Sequence, residues 1–493
     1  MAEAPRISLG WALLPVAVLI ALLAGDVWAF GEDSSYGPNQ IAMLITALLA
    51  GGLGAWKVGT RWQDIRDAIA ENISTTSEAI LILLLIGALS GTWLVAGIIP
   101  AFIHYGLQIL DPSWFLFATC LICAALSLAT GSSWGTVGTV GVALVGIGTA
   151  LGISTGWVAG AIISGAYFGD KLSPLSDTTN IAPAVAGTDL FTHIRYMLYT
   201  TIPSLSVALI VFLVAGFGPA AAHGEFNSDL SASVGAAIEG AFNIHFGLFI
   251  APVAVIAMIA RKVPAAPALF IGVLIGAATA LIAQPDRVLE VAGATSHSFQ
   301  ALYTGIFQTL AGDSAIVTGH DLTDELLSSG GMAGMLNTVW LIVCAMVFGA
   351  TLQATGMLAA ISEAMLKGVQ GTFGLVARAS GTCLAFNILT ADQYLAIVIP
   401  GNMYKESFEK QGLAPENLSR TLEDTGTVTS VLIPWNTCGV AQAGILGIST
   451  WAYLPYCVFN WVSPFMTLLV AGLNWKIRKL TSSDGTSATP AGL

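Results

Sequence analysis

The chain has 493 residues, 55% of them hydrophobic and only 9% charged, against roughly 25% charged in soluble globular domains, which excludes an ordinary soluble enzyme. A net charge of −12 argues against nucleic acid as a partner. The six cysteines are scattered, and the one close pair, Cys120 and Cys123, lies inside an apolar run. Two small buried residues one helical turn apart explain that pair better than redox or metal chemistry does.

About 20 helical residues cross roughly 30 Å of hydrocarbon. On that measure spans are predicted at about 9–29, 39–56, 78–99, 155–185, 195–217, 245–260, 265–283, 335–355, 417–440 and 456–475. No secretory cleavage pattern follows the first apolar stretch, so it is read as a retained span. Two further apolar segments, 114–150 and 375–405, carry polar centres, T-G-S-S-W-G-T at 130–136 and L-T-A-D-Q-Y at 389–394. Each reads as a re-entrant hairpin, which survives at membrane depth only where protein or a wet cavity covers its tip; a single bent span is the competing reading. Segments 97–110, 290–310 and 357–370 read as interfacial amphipathic helices, the last with a Glu363–Lys367 pair at i, i+4. The tail from Thr481 is disordered by composition.

Ten crossings leave both termini on one side, and the charges choose the side. With the termini cytoplasmic, the cytoplasmic segments hold Arg6, Lys57, Arg61, Arg66, Arg195, Arg261, Lys262, Lys367, Arg378, Lys405, Lys410, Arg420, Lys476, Arg478 and Lys479, fifteen of the 17 basic residues. Arg287 lies outside, Lys171 lies in the membrane, and the outer loops are acidic, as the positive-inside rule requires.

Sliding the chain against itself by about 260 residues aligns G-T-W-L-V-A-G (91–97) with A-T-L-Q-A-T-G (350–356), Thr130 with Thr390, Ser132 with Asp392 and Trp134 with Tyr394. Asp170 is matched with Asp424, and Pro203 with Pro464. An odd number of crossings separates the repeat starts at 78 and 335, so the repeats are inverted, as in many secondary transporters. The expected fold is an all-α polytopic membrane protein with about ten spans, two re-entrant hairpins, an inverted-topology repeat and two discontinuous helices. Its divisions are 1–77 (N-terminal spans and cytoplasmic linker), 78–217 (repeat 1), 218–334 (two connecting spans and outer loops), 335–475 (repeat 2) and 476–493 (tail).

The chemistry concentrates in G-D-K-L-S-P-L-S-D-T-T-N (169–180) and E-D-T-G-T-V-T-S-V-L-I-P-W-N-T-C-G (423–439). Pro174 disfavours helix at Ser173 and removes a donor, so unwinding is expected over 172–181, and in the second motif at Gly426 and Pro434. A bare sodium ion takes hard oxygen ligands, supplied here by Asp170, Ser176, Asp177, Thr178, Thr179 and Asn180, by Asp424, Thr427, Ser430, Asn436 and Thr437, and by Ser132, Ser133 and Asp392 at the hairpin tips. For a single Ser or Thr, back-bonding to its own helix is the ordinary role. Among the sodium ligands Asp170, Asp177, Thr178 and Asn180 lead, because an aspartate exchanging one proton for one sodium ion would couple the two fluxes. Lys171 is read as the counter-charge of Asp170 or as a proton carrier itself. G-S-S-W-G (131–135) matches the letters of a serine-hydrolase elbow, but that elbow needs an α/β sheet, so an intramembrane hydrolase is the remote alternative and a non-enzyme is expected.

S-G-A-Y-F-G-D-K-L-S-P-L-S-D-T-T-N-I-A-P-A-V-A-G-T-D-L-F-T-H-I (164–194), N-L-S-R-T-L-E-D-T-G-T-V-T-S-V-L-I-P-W-N-T-C-G (417–439) and G-S-S-W-G-T-V-G-T-V-G (131–141) resemble the NhaC-type sodium/proton antiporter family, over about Gly87 to Val470. The resemblance implies a multi-pass antiporter of the bacterial inner membrane, in a wider ion-transporter superfamily whose members combine a scaffold with a mobile transport domain and commonly form homodimers. It places Asp170, Ser176, Asp177, Thr178, Asn180, Asp424, Thr427, Ser430 and Asn436 within the family's motifs. The expected partners are small inorganic cations and the lipid bilayer. No resident cofactor is expected, since sodium and protons are cargo. Relatives of this type include exchangers of sodium-lactate for malate, so a sodium-coupled organic-acid exchanger is the alternative.

Overall fold

Hydrocarbon offers no water to satisfy backbone groups, so an apolar chain of this length resolves into helices. The computed structural model describes residues 7–218, 228–366 and 371–480. Among them the only strands are the two-residue pair Ser314–Ala315 and Ser328–Ser329. Among the described residues nine helices are long and apolar enough to cross a membrane, or up to eleven if each of two bent pairs is one span. Lys367 and the tail from Thr481 lie outside the described residues.

The two halves repeat in detail. Pro112–Thr130 and Gly371–Leu389 are the first arms of the two hairpins, each 19 residues long. Their tips turn through left-handed residues at equivalent positions, Gly131 at φ 72° and Ala391 at φ 56°. The first broken span is Thr155–Leu172 followed by Asp177–Ala186, and the second is Pro415–Leu422, continuing through 423–432, followed by Thr437–Leu446. The 10-residue second arms stand 260 positions apart and both end on a left-handed glycine, Gly187 and Gly447. The closing helices Leu190–Gly216 and Val458–Gly472 each contain a proline, Pro203 and Pro464.

Four expectations need correction. The helix expected to start at 78 begins at Trp62 and runs unbroken to Val95, because residues 62–77 contain neither Pro nor Gly to stop it. The first break is confined to Ser173–Ser176, and Asp177 to Asn180 form the first turn of the next helix. Gly426 does not break the second span but lies in a π-helical turn, Glu423–Thr427; the chain leaves helix only around Ile433–Asn436. The same 260-residue register aligns Asp170 with Ser430 rather than with Asp424.

Packing follows small residues. Pro112–Thr130 lies along Thr155–Leu172, and a Cβ added at Gly165 or Gly169 would sit 2.2 Å from the Cys120 carbonyl oxygen or 2.4 Å from that of Ala124. Two glycines four apart on one face let the backbones touch. Leu9–Phe30, Pro38–Val58, Trp62–Val95, Ala265–Ala283 and Leu336–Ala354 pack as a second group. The chain's last described segment crosses the start of the second broken span, where the Ala414 N–H donates to the Arg478 carbonyl at 3.0 Å and Arg478 pairs with Glu416 at 2.6 Å. Beneath this crossing Arg420, counted with the cytoplasmic charges, is fully buried, with its guanidinium 4.6 Å from the Tyr196 ring centroid.

Candidate functional site

A cavity of about 790 Å³ lies between the two helix groups. It is bordered by the basic turn Lys262–Ala265, by Thr75 and Glu78, and by both hairpin tips and both broken spans. Proline and polar caps bring these elements together. Pro174 and Pro434 stand in the breaks, Ser132 caps the first hairpin's returning arm by accepting from the Gly135 N–H at 3.0 Å, and Asn436 caps the second broken span's outer half.

Asp170, at the end of the first helix, accepts from the Ser133 hydroxyl at 2.6 Å and from the Ser133 N–H at 3.2 Å. The first hairpin tip is thereby tied to the first broken span through a charge-assisted contact. Gly131 allows this approach, since a Cβ there would lie 2.6 Å from the Leu175 Cβ. In the second half the Gln393 amide donates to the Thr427 carbonyl at 2.9 Å, and the Thr437 N–H donates to the Ala391 carbonyl at 2.9 Å.

Asp177 is exposed to the cavity, its carboxylate 3.5 Å from the Tyr394 hydroxyl. Ser132, Ser133, Asp170, Ser176, Asp177, Thr178, Asn180, Asp392 and Thr437 all border the cavity. Of the other candidates, Thr427 is buried with its hydroxyl unpartnered, and the rest have structural partners. Thr179 donates to the carbonyls of Asp170 and Lys171 at 3.1 and 2.9 Å, stapling the two arms of the break. Ser430 donates back to the Thr427 carbonyl at 2.7 Å. The Asn436 amide donates to the carbonyl and side-chain oxygens of Asn387, both at 3.1 Å.

Lys171 does not pair with Asp170. Its ammonium meets Asp424, and both side chains are fully buried. Lys171 also donates to the Ser463 hydroxyl at 3.2 Å, while Asp424 accepts from Thr200 at 3.1 Å and from Thr467. Adjacent residues on a helix point in different directions, so Lys171 faces the second repeat while Asp170 faces the first hairpin tip. Lys171 and Asp424 border no part of the cavity.

Sequence reasoning missed Glu78, which looked like the edge of a span, and Tyr394, which was matched to Trp134 but given no role. It also missed Glu423, fully buried with neither carboxyl oxygen hydrogen-bonded. Its position beside Asp424 in a polar motif was the available signal.

Paired hairpins and broken helices converging on one polar cavity define a secondary transporter. The chain belongs to the Na+/H+ antiporter family, whose profile matches residues 165–475. It is 34% identical over 475 residues to the Na(+)/H(+) antiporter NhaC of Alkalihalophilus pseudofirmus, covering 96% of this chain and 97% of that protein. It is 38% identical over 428 residues to the malate-2H(+)/Na(+)-lactate antiporter of Bacillus subtilis, covering 86% of each. The arginine/ornithine antiporter ArcD of Halobacterium salinarum is 34% identical over 472 residues, 96% of this chain and 93% of that protein.

Proposed function

We propose that this protein exchanges sodium for protons across the bacterial inner membrane by alternating access, with both termini in the cytoplasm. The observation that carries the reading is the pair Asp170 and Asp177 at the cavity's inner end, with the neighbouring lysine already engaged by Asp424. A carboxylate withdrawn from water must hold a proton or a cation. Where one group accepts either, the two compete, and that competition couples their fluxes.

The basic turn at Lys262 marks the open end of the cavity as cytoplasmic. The inner end is sealed by the tips, so the conformation is inward-facing. Sodium meets Asp177 first and is completed by the hydroxyls of Ser176 and Thr178 and by the Asn180 carbonyl oxygen, with Asp170 deeper. The two hairpins, the two broken spans and their closing helices move as the transport domain, and the helices around Trp62–Val95 stay as the scaffold through which two copies would associate.

The Bacillus subtilis malate/lactate relative supports a second reading, sodium-coupled organic-acid exchange. The cavity's charges oppose it, since Glu78, Asp170, Asp177 and Asp392 border the space and Lys262 at the mouth is the cation among its bordering residues. A dicarboxylate needs directed donors, ideally an arginine fork. In proteoliposomes free of organic acids, an imposed sodium gradient should move protons. Flux that appears only on adding malate or lactate would overturn the cation-exchange reading, and stimulation by arginine would point to an organic cation as cargo.

A further inference from the structure

The π-helical turn Glu423–Thr427 holds two carboxylates with opposite surroundings. Asp424 is enclosed by Lys171, Thr200 and Thr467. Glu423 is equally inaccessible, yet both of its carboxyl oxygens lack a hydrogen-bond partner, and so does the hydroxyl of Thr427 one turn on. Orphaned buried polar atoms in a native protein are rare and mark an ion or water that completes them. π-bulges themselves concentrate at functional sites.

The orphaned groups share one turn, Glu423–Thr427, and the helix Asp177–Ala186, which carries Thr178, packs against that turn. Thr178 borders the cavity, so Glu423 stands one side chain behind its wall. Lys171 is matched by Asp424, and Glu423 forms no ion pair among the described residues although it is fully buried. An uncompensated buried charge costs several kcal/mol, so the Glu423 carboxyl must hold either a proton or a bound cation.

We infer that Glu423 and Thr427 form a second alkali-cation site behind the cavity wall, which shares the Thr178 hydroxyl with the one at Asp170 and Asp177. This inference rests on the proposed sodium exchange and deepens it. Its donor set is all hard oxygen, which suits a small alkali cation and excludes soft metals. A transport cycle that fills both sites carries two cations, and their replacement by two protons preserves charge.

The test is equilibrium binding of 22Na+ to the purified full-length protein in detergent, beside sodium-driven proton flux in proteoliposomes. Glu423→Gln keeps size and removes charge, and should bind one sodium ion fewer per chain than the wild type. Thr427→Val, which keeps shape and removes one neutral ligand, should weaken the second binding step roughly fivefold. If Glu423→Gln does not fold, the Thr427→Val result decides alone. The Asp170→Asn, Asp177→Asn double variant should keep the Glu423 site occupied. Sodium binding with wild-type count and affinity in Glu423→Gln, or in Thr427→Val where only that variant folds, would overturn the inference and leave Glu423 as a neutral buried acid, with sodium/proton exchange intact. Absence of sodium-driven proton flux in the wild type would instead remove the functional reading on which the inference rests.

Discussion

Lys171 in the first broken span and Asp424 in the second form a fully buried ion pair that joins the two halves of the repeat. Its position explains why the cavity remains acidic, since the cation next to Asp170 in sequence faces away from it. Removing one partner of such a pair strands the other charge, at a cost of about 3–5 kcal/mol. Lys171→Met and Asp424→Asn should therefore each lower thermal stability in detergent sharply, while the double variant recovers most of the loss. The pairing of Asp170→Asn with Lys171→Met should show no recovery. Recovery there, and not with Asp424, would mean that the ion pair is misassigned.

Asp177 is exposed to the cavity, and among the described residues its carboxylate accepts one hydrogen bond, from the Tyr394 hydroxyl at 3.5 Å. Asp177→Asn should accordingly change stability by no more than about 0.5 kcal/mol while abolishing sodium-coupled proton flux. Ser133→Ala acts differently, since it deletes a 2.6 Å donor to buried Asp170 and should destabilise by about 1.5–3 kcal/mol. Full exchange activity in both Asp170→Asn and Asp177→Asn would remove these carboxylates from the transport step.

The hairpin tips give a backbone test. Gly131 and Ala391 share a left-handed conformation, which disfavours a side chain by roughly 1–2 kcal/mol. Gly131→Ala adds to that strain a 2.6 Å clash with Leu175, so loss of both stability and flux is expected. Ala391→Gly relieves strain but frees the unfolded chain by about 0.4–1 kcal/mol, so its melting temperature should stay near wild type.

Much of this architecture was legible because membrane depth restricts what a chain can do. Pro174 and Pro434 announced the breaks, and the match of Thr130 with Thr390 announced the tips. The direction of side chains was not legible. Neighbours such as Asp170 and Lys171, or Glu423 and Asp424, differ in partner because of helical phase, and the π-turn at Glu423–Thr427 shifts that phase with no Pro to signal it. Thr179 and Asn436, read as ligands, also hold the fold together through acceptors across the break and in the second hairpin, which only the folded chain brings close, whereas Ser430 bonds back within its own helix. The Asp170–Asp424 match failed for a related reason: identical letters in a polar motif outweighed a register that the glycine caps Gly187 and Gly447 define.

Sidedness can be read from two exposed positions, Glu409 and Glu325. The six native cysteines are all buried, so background labelling should be low. A membrane-impermeant thiol reagent should reach Glu325→Cys from the periplasm and Glu409→Cys only from the cytoplasm. Periplasmic labelling of Glu409→Cys would reverse the entry side of the second hairpin and break the inverted topology.

The closed face of the cavity yields the last test. A Cβ at Gly444, in the outer half of the second broken span, would lie 2.2 Å from the Thr338 hydroxyl of the neighbouring Leu336–Ala354 helix. On the inward-facing reading proposed above, this close packing holds the outer side shut while the Lys262 side is open. Leu175 borders the cavity without a polar side chain, and Leu175→Cys should be modified quickly from the cytoplasm and at least tenfold more slowly from the periplasm. Adding Gly444→Val wedges the outer contact apart, which should raise periplasmic modification and lower the cytoplasmic rate, because alternating access opens one side as it closes the other. If Leu175→Cys is modified equally from both sides without the wedge, the cavity is a channel and not a gated site. If the wedge slows modification from both sides together, Gly444 is a packing residue and the gate lies elsewhere.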